Sequence, residues 1–111
     1  LAVARATASS LAARVDLTYD RLTDLCIAID EASGRIMATA SSAPERLELV
    51  FEAGDEGVRV SIRGDRPLRA GAAFLTPWSK LILESVAGDL QVTEDGQGVM
   101  VQFAVDRGES T

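Results

Sequence analysis

Histidine is absent from this chain and cysteine occurs once, at Cys26. The first absence removes the commonest neutral-pH base and metal ligand. The second excludes an internal disulfide and a cysteine-rich metal site. Leu22, Leu25 and Ile29 share a helical pattern with Cys26, which reads as a small core side chain, and a reducing cytoplasm is the simpler setting. No apolar run approaches the roughly 20 residues that a membrane-spanning helix needs, and no charged amino region leads into an apolar export segment. Positive charge is also short: eleven Lys and Arg against seventeen Asp and Glu give a formal charge of -6, spread along the sequence. Direct DNA binding is therefore not expected.

What is present is 111 residues, the length of a single domain with a modest core. Leu1 is not an ordinary initiating residue, which points to a piece of a longer chain that can lack an upstream strand. Residues 1–14 are alanine-rich and free of Gly and Pro, and they read as a helix with Leu1, Ala4, Ala8 and Leu11 as its packing stripe. Thr18 is the expected cap of a second helix beginning near Tyr19 or Asp20. Leu22, Leu25, Cys26, Ile29 and Ile36 form its inward stripe, and Gly34 costs about 1 kcal/mol relative to alanine without breaking it. The small polar stretch 40–44, ASSAP, ends it.

From Glu45 the period becomes two. Leu47, Leu49 and Phe51 face a core, GDEG at 54–57 turns the chain, and Val58, Val60 and Ile62 repeat the alternation. Residues 64–75 form a connector with no regular pattern. Thr76 and Pro77 signal a third helix, supported by Leu81, Ile82, Leu83 and Val86 and ending at Gly88. Leu90 and Val92 begin another strand, EDGQG turns it, and Val99, Val101, Phe103 and Val105 alternate most clearly of all. The order predicts an α+β fold, a two-layer sandwich with helices packed on one face of a mixed or antiparallel sheet. Residues 54–57 and 95–98 are hairpin turns rather than phosphate loops, because neither leads from a strand into a helix.

Within the second helix, DRLTDLCIAIDEASGRIM (Asp20 to Met37) carries two adjacent carboxylates. Glu31 and Arg35 fall on one polar face, whereas Asp30 points about 100 degrees away and reads as a surface acid. This segment resembles the N-box helix of the GHKL, or Bergerat-fold, histidine-kinase-like ATPases. Nearly the whole chain is similar in element order to their RsbW/SpoIIAB-like anti-sigma-factor serine kinases, including TPWSKLILESVAGDLQV, the EDGQG hairpin and the last strand. The family carries a catalytic glutamate in an E-A-x-x-N pattern, and here the pattern reads Glu31-Ala32-Ser33-Gly34-Arg35. The resemblance makes Glu31 the catalytic base of any phosphotransfer. Arg35 stands where the family's asparagine holds magnesium and nucleotide, and a guanidinium offers donors but no lone pair for a metal. Its remaining uses are a phosphate or Glu31 one helical turn away, the latter at roughly 0.2–0.5 kcal/mol.

The family's D-x-G-x-G element is replaced by Ile62-Arg63-Gly64-Asp65-Arg66-Pro67, and its glycine-rich lid by LRAGAAFLTPWSK. Asp65 is either a displaced adenine-recognising carboxylate or a solvated turn residue. ATP and magnesium are implied only if this divergent site functions, and no metal ligand is assigned. Trp78 is either partly buried against the sheet or, with Phe74 and Leu75, part of an exposed partner contact. The resemblance implies a stress-response transcription regulator that binds an alternative sigma factor and an anti-anti-sigma partner over a degenerate nucleotide site. The alternatives are an active ATP-dependent serine/threonine kinase acting on the anti-anti-sigma factor, and a noncatalytic structural module, including one that homodimerises.

Overall fold

A computed structural model describes residues 17–108; the helix expected over residues 1–14 lies outside the described residues. Helix α1, Tyr19–Thr39, opens where the Thr18 side chain accepts from the Arg21 N–H at 3.3 Å, with Asp20 placing negative charge on its first turn. The Thr18 N–H donates to the Arg107 carbonyl at 3.0 Å, so the start of the helix is tied to the far end of the chain. The helix passes through Gly34, which is exposed, and stops where Ala40 turns extended. Two antiparallel hairpins follow: β1 (Leu47–Gly54) with β2 (Gly57–Gly64), and β3 (Gly88–Asp95) with β4 (Gly98–Asp106). Between them lies helix α2, Pro77–Val86, capped by the Thr76 side chain accepting from the Ser79 N–H at 3.0 Å. It ends on an extended Ala87, so Gly88 belongs to β3 rather than to a helix stop.

The sheet is antiparallel throughout, in the order β1-β2-β4-β3, so the last strand lies between the two hairpins' partners. The register places Val60 opposite Phe103 and Ile62 opposite Val101, joining the two most regular apolar rows. Val58, Val60, Ile62, Val99, Val101, Phe103 and Val105 are buried beneath Leu25, Ala28, Ile29, Ala32 and Ile36 of α1 and Leu83 of α2. Leu47, Leu49 and Phe51 extend the same face but are only half-buried. The period-two pattern therefore identifies the inward face, and the two helices form one layer on it. Approach is closest at the carboxyl end of β2: a Cβ on Gly64 would lie 2.5 Å from Ile36 Cγ2, and one on Gly98 would collide with the Gly64 carbonyl. Glycine at both positions lets helix, strand and hairpin meet.

The opposite face is polar, as expected for an antiparallel sheet covered on one side. Arg59 reaches Asp89 at 3.1 Å and Arg63 reaches Asp95 at 3.2 Å, each crossing from β2 over β4 to β3, while Gln102 donates to Ser61 at 3.2 Å. Strand β3 is irregular. Its pairing with β4 shifts between Gly88 and Gln91, and Asp89 adopts a positive φ of 52°. No described helix is long and apolar enough to cross a membrane.

Phe103 is fully buried at the centre of this packing. Phe103→Ala is expected to cost about 3–5 kcal/mol, read as a lower urea midpoint at unchanged m-value. In the β3–β4 turn, Asp95 accepts from the N–H groups of Gln97 at 2.7 Å and Gly98 at 2.9 Å. The Gln97 N–H chiefly, and the Arg63 side chain next, hold its pKa below the ordinary 3.8. A depressed folded-state pKa stabilises the fold above the ordinary carboxylate range, and this contribution disappears as pH falls through and below that range. Asp95→Asn should therefore lower the thermal midpoint at neutral pH, and the gap from the parent protein should close on acidification below about pH 4.

Candidate functional site

Helix α1 brings Glu31 and Arg35 one turn apart, but they make no ion pair with each other among the described residues. The Arg35 guanidinium instead turns to the connector. Its Nε donates to the Phe74 carbonyl at 2.7 Å and its NH2 group to the Ala73 carbonyl at 3.0 Å. Of the two expected uses of Arg35, this geometry replaces the pairing with Glu31. The physical reason lies in the connector, which has few ladder bonds of its own and carries a buried aromatic ring. Two successive carbonyls there need donors, and a guanidinium supplies two in one rigid fork.

Further anchors fasten the connector to the end of α1. Arg69 donates from its side chain to the Ala38 carbonyl at 3.0 Å and from its backbone N–H to the Thr39 carbonyl at 2.8 Å. These bonds satisfy helix carbonyls that have no partner inside the helix, in a last turn with no basic residue of its own. Leu68 forms a bridge with Ala40, and the Ser41 N–H donates to the Pro67 carbonyl at 2.9 Å. Phe74, only 6% exposed, is part of the hydrophobic core, and Leu75 packs half-buried against it.

The expected apolar contact of Phe74, Leu75 and Trp78 is thus divided. Phe74 is core; Trp78 is 68% exposed, and its exposed neighbour on α2 is Leu81, at 60%. In the sequence Leu81 counts only as one of the apolar residues that support this helix, with no face assigned. Its position three residues after Trp78 was the signal that could have placed it on the Trp78 side.

Asp65 follows Gly64 directly, close to the end of α1, but its carboxylate is engaged within the turn. One oxygen accepts from the Glu45 N–H at 3.1 Å and the other lies 3.6 Å from Arg66. Arg66 also holds Ser42 at 3.1 Å and Glu45 at 3.5 Å. This arrangement binds residues 42–45 to the end of β2.

These residues do not fit the nucleotide and magnesium that the resemblance implies. Two N–H groups of Arg35 donate to carbonyls, the Asp65 carboxylate accepts within a turn, and no glycine-rich backbone follows β2 for phosphates to approach. No group of three or more metal-ligating side chains occurs among the described residues. Glu31 remains half-buried on α1. Ser33 Oγ is buried without a hydrogen-bond partner, but it is two positions from both Glu31 and Arg35. On a helix that is about 200 degrees from each, so it does not complete their polar face.

The opposite end of the sheet carries a cavity of about 730 Å³. The β1–β2 turn, the end of α2 and the end of β4 line it, with Arg21 and Arg59 among six carboxylates. Its lining includes none of the candidate site residues Glu31, Arg35, Asp65, Phe74, Leu75 or Trp78. Its arginines are already paired, Arg21 with Asp24 and Asp106 and Arg59 with Asp89. No protein-family model matches the chain, and no curated protein matches it closely enough to establish kinship.

Replacing Arg35 by Ala should leave two connector carbonyls without their donors and destabilise the protein by about 1 kcal/mol, the low end because water reaches part of this site. Hydrogen exchange should rise selectively in residues 69–75. A variant with unchanged exchange and stability would show that the guanidinium does not hold the connector.

Proposed function

We propose that this chain is a cytoplasmic regulatory domain of the anti-sigma-factor type, with a GHKL-like fold, that acts by binding protein partners and not by phosphoryl transfer. The observation that carries this reading is the connector strapped to α1 through Arg35 and Arg69, with Phe74 sealed beneath it. By resemblance, that is the segment that would otherwise form a nucleotide lid. A kinase needs a bound triphosphate, its metal ions and charge stabilisation around the moving phosphoryl group. Here the groups at the corresponding positions stabilise the protein's own backbone.

The partners in this reading are an alternative sigma factor and a competing anti-anti-sigma protein. The acidic composition suits a protein partner better than DNA. Trp78 and Leu81 offer an exposed apolar contact on α2 whose aromatic member is of the type that dominates binding energy at interfaces.

Purified protein is expected to bind the sigma factor saturably, with the same affinity in the presence and absence of magnesium-ATP. Trp78→Ala should weaken that binding at least tenfold while leaving the denaturation midpoint unchanged. Binding that requires ATP, or phosphotransfer to the anti-anti-sigma protein that disappears in Glu31→Gln, would establish the kinase alternative. Absence of binding to either regulator would favour a structural module.

A further inference from the structure

The sheet has two edges, and they differ in kind. Strand β3 carries a register shift, a positive-φ residue at Asp89, and Glu94 opposite Val99 on the helix-covered side. Bulges and inward-placed charges of this sort block the addition of another strand. Strand β1 has none of these features. It pairs with β2 in unbroken register from Leu47 to Gly54 and contains neither proline nor lysine. Nothing among the described residues pairs with its outer side. Helix α1 lies over β2 and β4 and α2 touches β3, which leaves Leu47, Leu49 and Phe51 only half-covered.

Charge on the other face of β1 is equally unsatisfied. Glu48 is directly opposite Arg63, and Glu52 directly opposite Arg59. Both arginines turn away from β1, towards Asp95 and Asp89. Glu48 and Glu52 make no ion pair among the described residues, and between them Val50 is 44% exposed.

A second copy of the chain paired in register about Val50 is a poor occupant of this edge. Antiparallel pairing about a two-fold axis at Val50 would set Glu48 of one copy against Glu52 of the other, and like charges directly opposite are destabilising. We infer that the β1 edge receives an extended basic segment of a partner protein by strand addition. Its lysines or arginines lie beside Glu48 and Glu52, and its alternate apolar side chains continue the row of Leu47, Leu49 and Phe51. Main-chain hydrogen bonds supply affinity, and the alternation of charge and apolar groups supplies specificity. The site requires only the sheet, and is independent of the regulatory reading and of the α2 contact.

The test uses the full chain and two synthetic peptides of about eight residues, a typical strand length, one alternating valine with lysine and the other valine with glutamate. The lysine peptide is expected to bind and to slow hydrogen exchange at alternate amides of β1, with no protection in β3. Glu48→Lys combined with Glu52→Lys should weaken its binding by roughly tenfold and favour the glutamate peptide. Both substitutions are on the solvated face. Should the double variant not fold, a salt titration of the parent protein decides: affinity for the lysine peptide must fall as salt rises. Failure of the lysine peptide to bind, protection on β3 or α2 instead of β1, indifference to the charge reversal, or a dimer in sedimentation that excludes the peptide would each overturn the inference.

Discussion

The pairing of β2 with β4 is the interaction on which the rest of the structure depends. It aligns Val58, Val60 and Ile62 with Val105, Phe103 and Val101, two rows from distant parts of the chain, and forms the surface on which α1 packs. Without it each hairpin would be an isolated two-stranded ribbon, which is marginal in water. With it, the small Ala28 and Ala32 allow the helix to settle close to the strands, and Gly64 admits Ile36 at the end of the contact. Because these contacts are non-local, loop closure precedes most of the burial that offsets its entropy.

The same arrangement sets the path of the connector. Once the end of β2 is held beneath the end of α1, the connector that leaves β2 must return along the helix to reach α2. Its path exposes carbonyl groups to Arg35 and places Phe74 in the core. Arg69 then caps helix carbonyls that the helix itself leaves open. A side chain that could meet a phosphate in a nucleotide-binding protein thereby becomes a backbone brace. Exposed apolar side chains lie elsewhere, Trp78 and Leu81 on α2 and Val50 on β1.

Much of the fold was legible in local patterns. Thr18 and Thr76 cap the helices as expected because capping depends on a hydroxyl and the N–H two or three residues on. The alternating rows of β1, β2 and β4 identified their inward faces because a pleated strand has a side-chain period of two. Less was legible at the candidate site. The spacing of Glu31 and Arg35 permits an ion pair, and only the connector, 39 residues further along at Phe74, shows that Arg35 is engaged elsewhere. Apolar identity alone likewise left open whether Phe74 and Trp78 share one contact, and the fold makes one core and the other surface.

The sequence by itself determined helices α1 and α2, the hairpins, the apolar rows and the excess of negative charge, all properties set by near neighbours and composition. Tertiary structure alone decided that β4 inserts beside β2, that Arg35 bonds to the connector, and that Arg59 and Arg63 turn towards β3 and leave Glu48 and Glu52 without an ion pair among the described residues. The reason is that a side chain's choice among several partners depends on which groups the fold brings within about 3 Å of it, and that is a property of the closed chain rather than of spacing along it.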